Sequence, residues 1–278
     1  MQVTLENRRY AEIETDALVS YVFEEADPVQ GRIAELDVLT GGLLKKLAQG
    51  GEVTGKTLEM TLVHAPAGLR AERVLLVGAG KREAFTSATL RQLAAAALRY
   101  LKARSVKQFA FQVREGDATE EAAQAITEGV AAANFESDKY KTDKKNGKDV
   151  DTVFLVGFDG VGASGLERGR IIGESQNFTR DLVNEPSNRL TPRVLAERAQ
   201  AMAREAGLAC EVLDEWKIAE LSMGALLSVA QGSIEPPRVI VLTYTPPQAK
   251  PGAPVIGLVG KAVTFDTGGI SIKPADGM

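Results

Sequence analysis

Residues 255–278 read VIGLVGKAVTFDTGGISIKPADGM. The segment opens on an apolar run, Val255–Val259, of strand length. Lys261 follows almost at once, and then a second apolar pair, Ala262 and Val263. A lysine in such surroundings loses hydration, which disfavours its charged form. Asp266 comes five residues after Lys261. Five is odd, so in an unbroken strand the two side chains would face opposite sides. For amine and carboxylate to act on one centre, the backbone has to turn or bulge between them. Thr267-Gly268-Gly269 suits an irregular loop with close backbone approach. The plainer reading makes Lys261 an ion-pair partner at a strand end and Asp266 a turn cap.

Upstream of this segment the same alternation of elements recurs. Strands are predicted at Ala209–Leu213, Leu226–Ala230 and Val239–Tyr244, with TPPQAKPGAP as an exposed loop before Val255–Val259. Thr191 and Pro192 form an N-cap and N1 pair that opens a helix to about Ala206, and Gly207 is placed to end it. A long helix is predicted from Gly165 to Val183, stopped by Pro186 in NEPSN. Further upstream, strands are predicted at Ala17–Phe23, Thr57–His64, Val74–Gly78, Lys107–Val113 and Thr152–Val156. Helical stretches lie between them at Val29–Gln49, Ala88–Ala103, with Ser87 as N-cap, and Ala118–Asn134. The pattern is that of an α/β protein with a largely buried sheet. The charged stretch at 137–149 reads as a solvated loop near a boundary. Two domains are predicted, 1–159 and 160–278.

The bulk composition narrows the function classes. The 278 residues carry a net charge of −4, which argues against bulk attraction to nucleic acid or an anionic membrane. No apolar run reaches the ~18 residues of a membrane span, and the first residues hold no signal-peptide core. With one cysteine, Cys210, no internal disulfide can form, and a cytoplasmic location is predicted. His64 is the sole histidine. Multi-histidine zinc sites are therefore excluded for these residues, and His64, in TLEMTLVHAP, reads as a packed or surface histidine rather than a catalytic one. A hydrolytic metal site here would have to use carboxylates and a nitrogen other than imidazole.

Two glycine motifs bear on nucleotide binding. VLLVGAGK at 74–81 fails as a P-loop, because Leu75 and Arg82 stand where glycine and Ser/Thr are required. Gly160-Val161-Gly162-Ala163-Ser164-Gly165 is a literal G-x-G-x-x-G after a strand. The second strand that should end in an acidic residue does not follow it, because the predicted helix runs on through Asp181 to NEP. Its glycines read instead as a turn and a closely packed helix start.

The motifs at 259–274 carry a resemblance to a known family. Val259-Gly260-Lys261, Thr264-Phe265-Asp266-Thr267-Gly268-Gly269, Ser271 and Lys273-Pro274 resemble the signature of the M17 leucyl aminopeptidases. RDLVNEPSNRLTP at 180–192 is similar to a second run of that family, and LTGGLLKKL and VLLVGAGK resemble its N-terminal part more loosely. The resemblance implies a macro-domain-like N-terminal α/β sheet flanked by helices, then the first part of an α/β metallopeptidase domain. It implies a metal-dependent release of N-terminal amino acids, leucine-type preferred, from peptide substrates, using two divalent metal ions, Mn²⁺ or Zn²⁺.

By the same resemblance Lys261 is a neutral amine ligand and Asp266 a carboxylate shared by both metals. Lys273 is the charged group that stabilises the oxyanion developing on the substrate carbonyl. A homo-hexamer is implied for the full-length protein. The family's remaining acidic ligands and its arginine follow later than Met278, so the 278 residues alone are expected to be inactive, weak in metal binding and poorly soluble. Two rivals of other classes stand beside this reading: a nucleotide or ADP-ribose binding module, and a non-catalytic interaction protein.

Overall fold

The computed structural model describes residues 1–25, 27–142 and 149–266. The chain divides into two compact units, Met1–Arg180 and Asp181–Met278.

The first unit is built on a six-stranded sheet. Its strands are β1 (Gln2–Glu6), β2 (Ala17–Val22), β3 (Met60–His64), β4 (Arg73–Gly78), β5 (Gln108–Gln112) and β6 (Thr152–Val156), in the spatial order β1-β6-β5-β2-β4-β3. All neighbours are parallel except β3 against β4. Central β2 is buried at every residue, as expected of a parallel strand covered on both faces. Its side chains alternate between two apolar layers. Val19, Tyr21 and Phe23 meet Leu93, Ala97 and Ile126 of helices α3 (Ser87–Lys102) and α4 (Glu120–Asn134). Leu18 and Val22 meet Ile33, Leu36 and Leu44 of helices α1 (Arg32–Leu39) and α2 (Leu43–Gln49). The sheet is thus the middle of three layers.

Three local features of this unit differ from those expected from the sequence. The segment predicted as one helix over Val29–Gln49 is broken, because Gly41 and Gly42 both take positive φ between α1 and α2. Thr86, not Ser87, caps α3; its hydroxyl accepts from Thr89 N and Thr89 answers in a capping box. Strand β1 was not predicted; it pairs with β6 from Gln2↔Thr152 to Glu6↔Val156. Residues 143–148 of the predicted charged loop lie outside the described residues.

Helix α5 (Ala163–Val183) meets α4 at its glycines and through Asn177, whose side-chain amide donates to Ala131 O at 3.0 Å. Gly165, Gly169 and Gly173, four apart, are buried on one face, and a Cβ on any of them would meet α4. The division of the chain at Arg180 leaves most of α5 with the first unit.

The second unit holds α6 (Pro192–Ala206), β7 (Ala209–Leu213), α7 (Glu215–Glu220), α8 (Gly224–Ala230) and β8 (Val239–Thr243). The ends of α6 are those the sequence predicts: Thr191 accepts from Val194 N, Pro192 opens the helix, and Gly207 ends it at φ 68°. Strands β7 and β8 pair antiparallel. Two predicted strands are not formed. Leu226–Ala230 belongs to α8, where Gly224-Ala-Leu-Leu-Ser-Val-Ala lacks a period-two pattern and favours helix through Ala and Leu. Val255–Val259 has no pairing partner among the described residues, and its Val255, Leu258 and Val259 are over 90% exposed. A strand depends on cross-strand and same-face packing, and this run has neither.

Candidate functional site

Lys261 and Asp266 lie in the irregular, exposed segment after Val259. Between them the chain turns, with Val263 N donating to Lys261 O at 3.2 Å. Such a turn is what the five-residue spacing requires if both side chains are to serve one centre. The desolvation expected at Lys261 from a flanking buried strand is not supplied, because that strand is not formed. Lys273, with 267–278 as a whole, lies outside the described residues. Among the described residues no group of three or more His, Cys, Asp or Glu side chains gathers as a metal site. The described donor set is therefore one amine and one carboxylate, fewer than a two-metal centre needs.

The second motif, RDLVNEPSNRLTP, has a clear local role. Arg198 of α6 reaches back to Asp181 at 2.5 Å and to Glu185 at 3.2 Å. Two carboxylates on one guanidinium hold the end of α5 and the NEPSN turn to the face of α6. Residues 13 and 17 apart in sequence meet here, and no short motif announces the clasp.

Neither glycine turn of the first unit offers a free cradle for phosphate. At 78–80 the N–H groups are already used: Gly78 N donates to Glu59 O, Ala79 N to Val22 O and Gly80 N to Gly55 O. At the start of α5 the anion position is filled from within. The Glu120 carboxylate accepts from Gly162 N at 2.9 Å and from Gly165 N, and these bonds hold its pKa below the usual carboxylate value. A helix start binds anions through such N–H groups; here an internal carboxylate takes the place a pyrophosphate would occupy. This geometry weighs against the nucleotide-binding rival. Glu120 escaped the sequence reading because it lies 42 and 45 residues before its partners.

Among the described residues no helix is long and apolar enough to cross a membrane.

Comparison with known proteins agrees with the motifs. The model of the cytosol aminopeptidase family, N-terminal domain, matches residues 19–144, and that of the same family's catalytic domain matches 177–278. A probable cytosol aminopeptidase of Solibacter usitatus is 50% identical over all of this chain and 55% of its own length. One from Koribacter versatilis is 42% identical over all of this chain and 58% of its own length. The chain thus spans about half the length of the curated relatives it matches. Among solved structures, the bottromycin maturation enzyme BotP in complex with Mn superposes with a TM-score of 0.74 at 29% identity, over 94% of this chain and 51% of that one. A tomato leucine aminopeptidase mutant reaches a TM-score of 0.78 at 23% identity over 90% of this chain and 52% of that one, which supports the fold alone. Both domain models, in the right order, together with relatives aligned from end to end, establish that the chain belongs to the M17 cytosol aminopeptidase family.

Proposed function

We propose that this chain carries the N-terminal domain and the first part of the catalytic domain of a metal-dependent aminopeptidase that releases N-terminal amino acids, leucine-type preferred, from peptides. The observation that carries the reading is the Lys261, Asp266 and Lys273 motif inside the region matched by the family's catalytic domain. The two-unit reading with a boundary near 159 belongs to the same proposal, as do cytoplasmic location and a homo-hexameric full-length protein.

Two divalent metals, Mn²⁺ or Zn²⁺, would supply carbonyl polarisation and water activation when bound; Mn in the BotP structure is consistent with that class. Lys261 offers a nitrogen donor once its amine is neutral, and Asp266 offers two carboxylate oxygens. Lys273 is the fixed positive charge for the developing oxyanion. The 278 residues alone are proposed to be inactive.

A chimera tests this. The 278 residues are joined to the remaining part of the Solibacter usitatus relative and assayed on leucyl-p-nitroanilide with Mn²⁺ or Zn²⁺. The chimera should hydrolyse the substrate and the unjoined chain should not. Lys261→Ala, Asp266→Ala and Lys273→Ala should each reduce turnover by about 10²-fold or more. A folded, metal-loaded chimera without leucyl amide hydrolysis would refute the assignment, and full activity of the unjoined chain would refute its inactivity.

A further inference from the structure

At the carboxyl ends of β2, β4 and β5 the first unit holds a cleft of about 240 Å³ that the proposed reaction does not use. Arg82, Phe85, Leu90, Asp117, Thr119 and Glu121 are among its lining residues. In an open α/β sheet this end of the strands is where ligands bind.

The lining is built rather than incidental. Arg82 forms a two-pronged pair with Asp117, Nη1 to Oδ2 at 2.9 Å and Nη2 to Oδ1 at 2.6 Å. Its guanidinium also stacks 4.8 Å from the Phe23 ring centre and 5.5 Å from that of Phe85. Asp117 is held in turn by the Tyr21 hydroxyl at 2.6 Å. The cation is therefore fixed in place by a carboxylate and two rings. A guanidinium has five N–H donors; Asp117 takes two, and the Arg82 side chain remains 48% exposed. Glu121, in the first turn of α4, is exposed on the same cleft. Phe85, Leu90 and Ala122 add an apolar wall.

This lining selects among ligand charges. A bare anion meets Arg82 but is repelled by Asp117 and Glu121. A bare cation meets the carboxylates but is repelled by Arg82. A small molecule with both charges and a short apolar body satisfies all three groups.

We propose that this cleft binds a free aliphatic α-amino acid, its carboxylate on the remaining Arg82 donors, its ammonium on Glu121 and its side chain against Phe85 and Leu90. Such a molecule is also of the class that an aminopeptidase releases, but its binding in this cleft does not depend on the catalytic reading.

Calorimetric titration of the full chain with L-leucine tests it. EDTA is present throughout, so that metal-dependent binding at the catalytic motif contributes nothing. Saturable binding is expected in the millimolar range. 4-Methylpentanoate, which lacks the amine, and leucinamide, which lacks the carboxylate, should each bind about tenfold more weakly or worse. Glu121→Gln, at an exposed position with no change of shape, should weaken leucine by a similar factor while leaving the circular dichroism spectrum as it was and binding 4-methylpentanoate no more weakly than the parent does, because one carboxylate that repels that anion is gone. The proposal is overturned if leucine gives no saturable heat, if 4-methylpentanoate or leucinamide binds as well as leucine, or if Glu121→Gln binds leucine like the parent.

Discussion

Val74–Val77 and Val255–Val259 are both short apolar runs rich in branched side chains, yet they end in opposite environments. The first is in β4, held between β2 and β3, with Val74, Leu75, Leu76 and Val77 at most 1% exposed. In the second, Val255, Leu258 and Val259 are 93–102% exposed. The same contrast runs through the two units. Phe109 and Phe111 are buried on the sheet of the first, while Trp216 and Val229 are 77% and 71% exposed in the second. An apolar run specifies what a segment can become; a neighbouring strand and a covering helix decide whether it does.

The sharpest way to break the comparison is to remove one side chain from each region. Phe111→Ala should lower stability by about 3–5 kcal/mol, the usual cost of emptying a buried phenylalanine site. Leu258→Ala should change it by less than about 0.5 kcal/mol, since an exposed side chain has little burial to lose. Urea denaturation followed by circular dichroism reads both. A large loss at Leu258 would mean that 255–259 is packed in solution, and the contrast would fall.

A second test separates close packing from backbone conformation inside one motif. At Gly165 an added Cβ would collide with the Glu120 carbonyl of α4. At Gly160 nothing lies within 4 Å, but φ is +90°. Gly165→Ala should cost about 1–3 kcal/mol as overpacking between two helices. Gly160→Ala should cost about 1–2 kcal/mol, from φ alone. The two separate by crystallography or hydrogen exchange. Only Gly165→Ala should lower amide protection in α5, and equal protection in both variants would contradict the packing role.

What the sequence disclosed depended on how local the determinant was. The ends of α6 were legible because Thr191, Pro192 and Gly207 each act within a turn of their own position. Strand β6 was legible to the residue, Thr152–Val156, as an apolar run of the right length. Strand β1 was not, because one exposed and four half-buried residues, with only Val3 and Leu5 packed against the core, make a weak signal. Lys261, Asp266 and Lys273 stand out in the sequence as one short motif, and their roles are those proposed from it. Glu120, Arg82 with Asp117, and Arg198 were invisible because each acts on partners 13 to 45 positions away.

Even within the well-packed unit, three side chains depart from the rule that buried polar groups are paired: among the described residues Ser20 Oγ, Arg114 Nη1 and both amide atoms of Gln112 have no hydrogen-bond partner. Gln112, at the end of β5, is 0% exposed, and neither its amide nitrogen nor its amide oxygen has a hydrogen-bond partner. Its neighbours on that face, Ala110 and Val156, are apolar. Gln112→Leu should therefore raise stability, by about 1 kcal/mol, because an unpaired buried amide is replaced by a side chain of similar size. A loss of stability in urea would show that the amide is paired in solution.

The smallest effect expected concerns the Glu120 carboxylate at the start of α5. Its pKa is lowered first by the Gly165 N–H and then by the Gly162 N–H, both of which favour the charged form. A carboxylate with a depressed folded pKa contributes stability above its unfolded pKa and loses it as the pH falls through the folded value. The melting temperature of the parent should thus exceed that of Glu120→Ala by a constant margin at neutral pH. The margin should begin to close near the ordinary glutamate value of about 4.3 and keep closing below it. Glu120→Gln retains an acceptor oxygen but no charge, so its margin to Glu120→Ala should be smaller and independent of pH. If the parent's margin held constant down to about pH 3, the charge of Glu120 would contribute nothing to holding the helix start, and the glycines alone would account for the docking of α5 on α4.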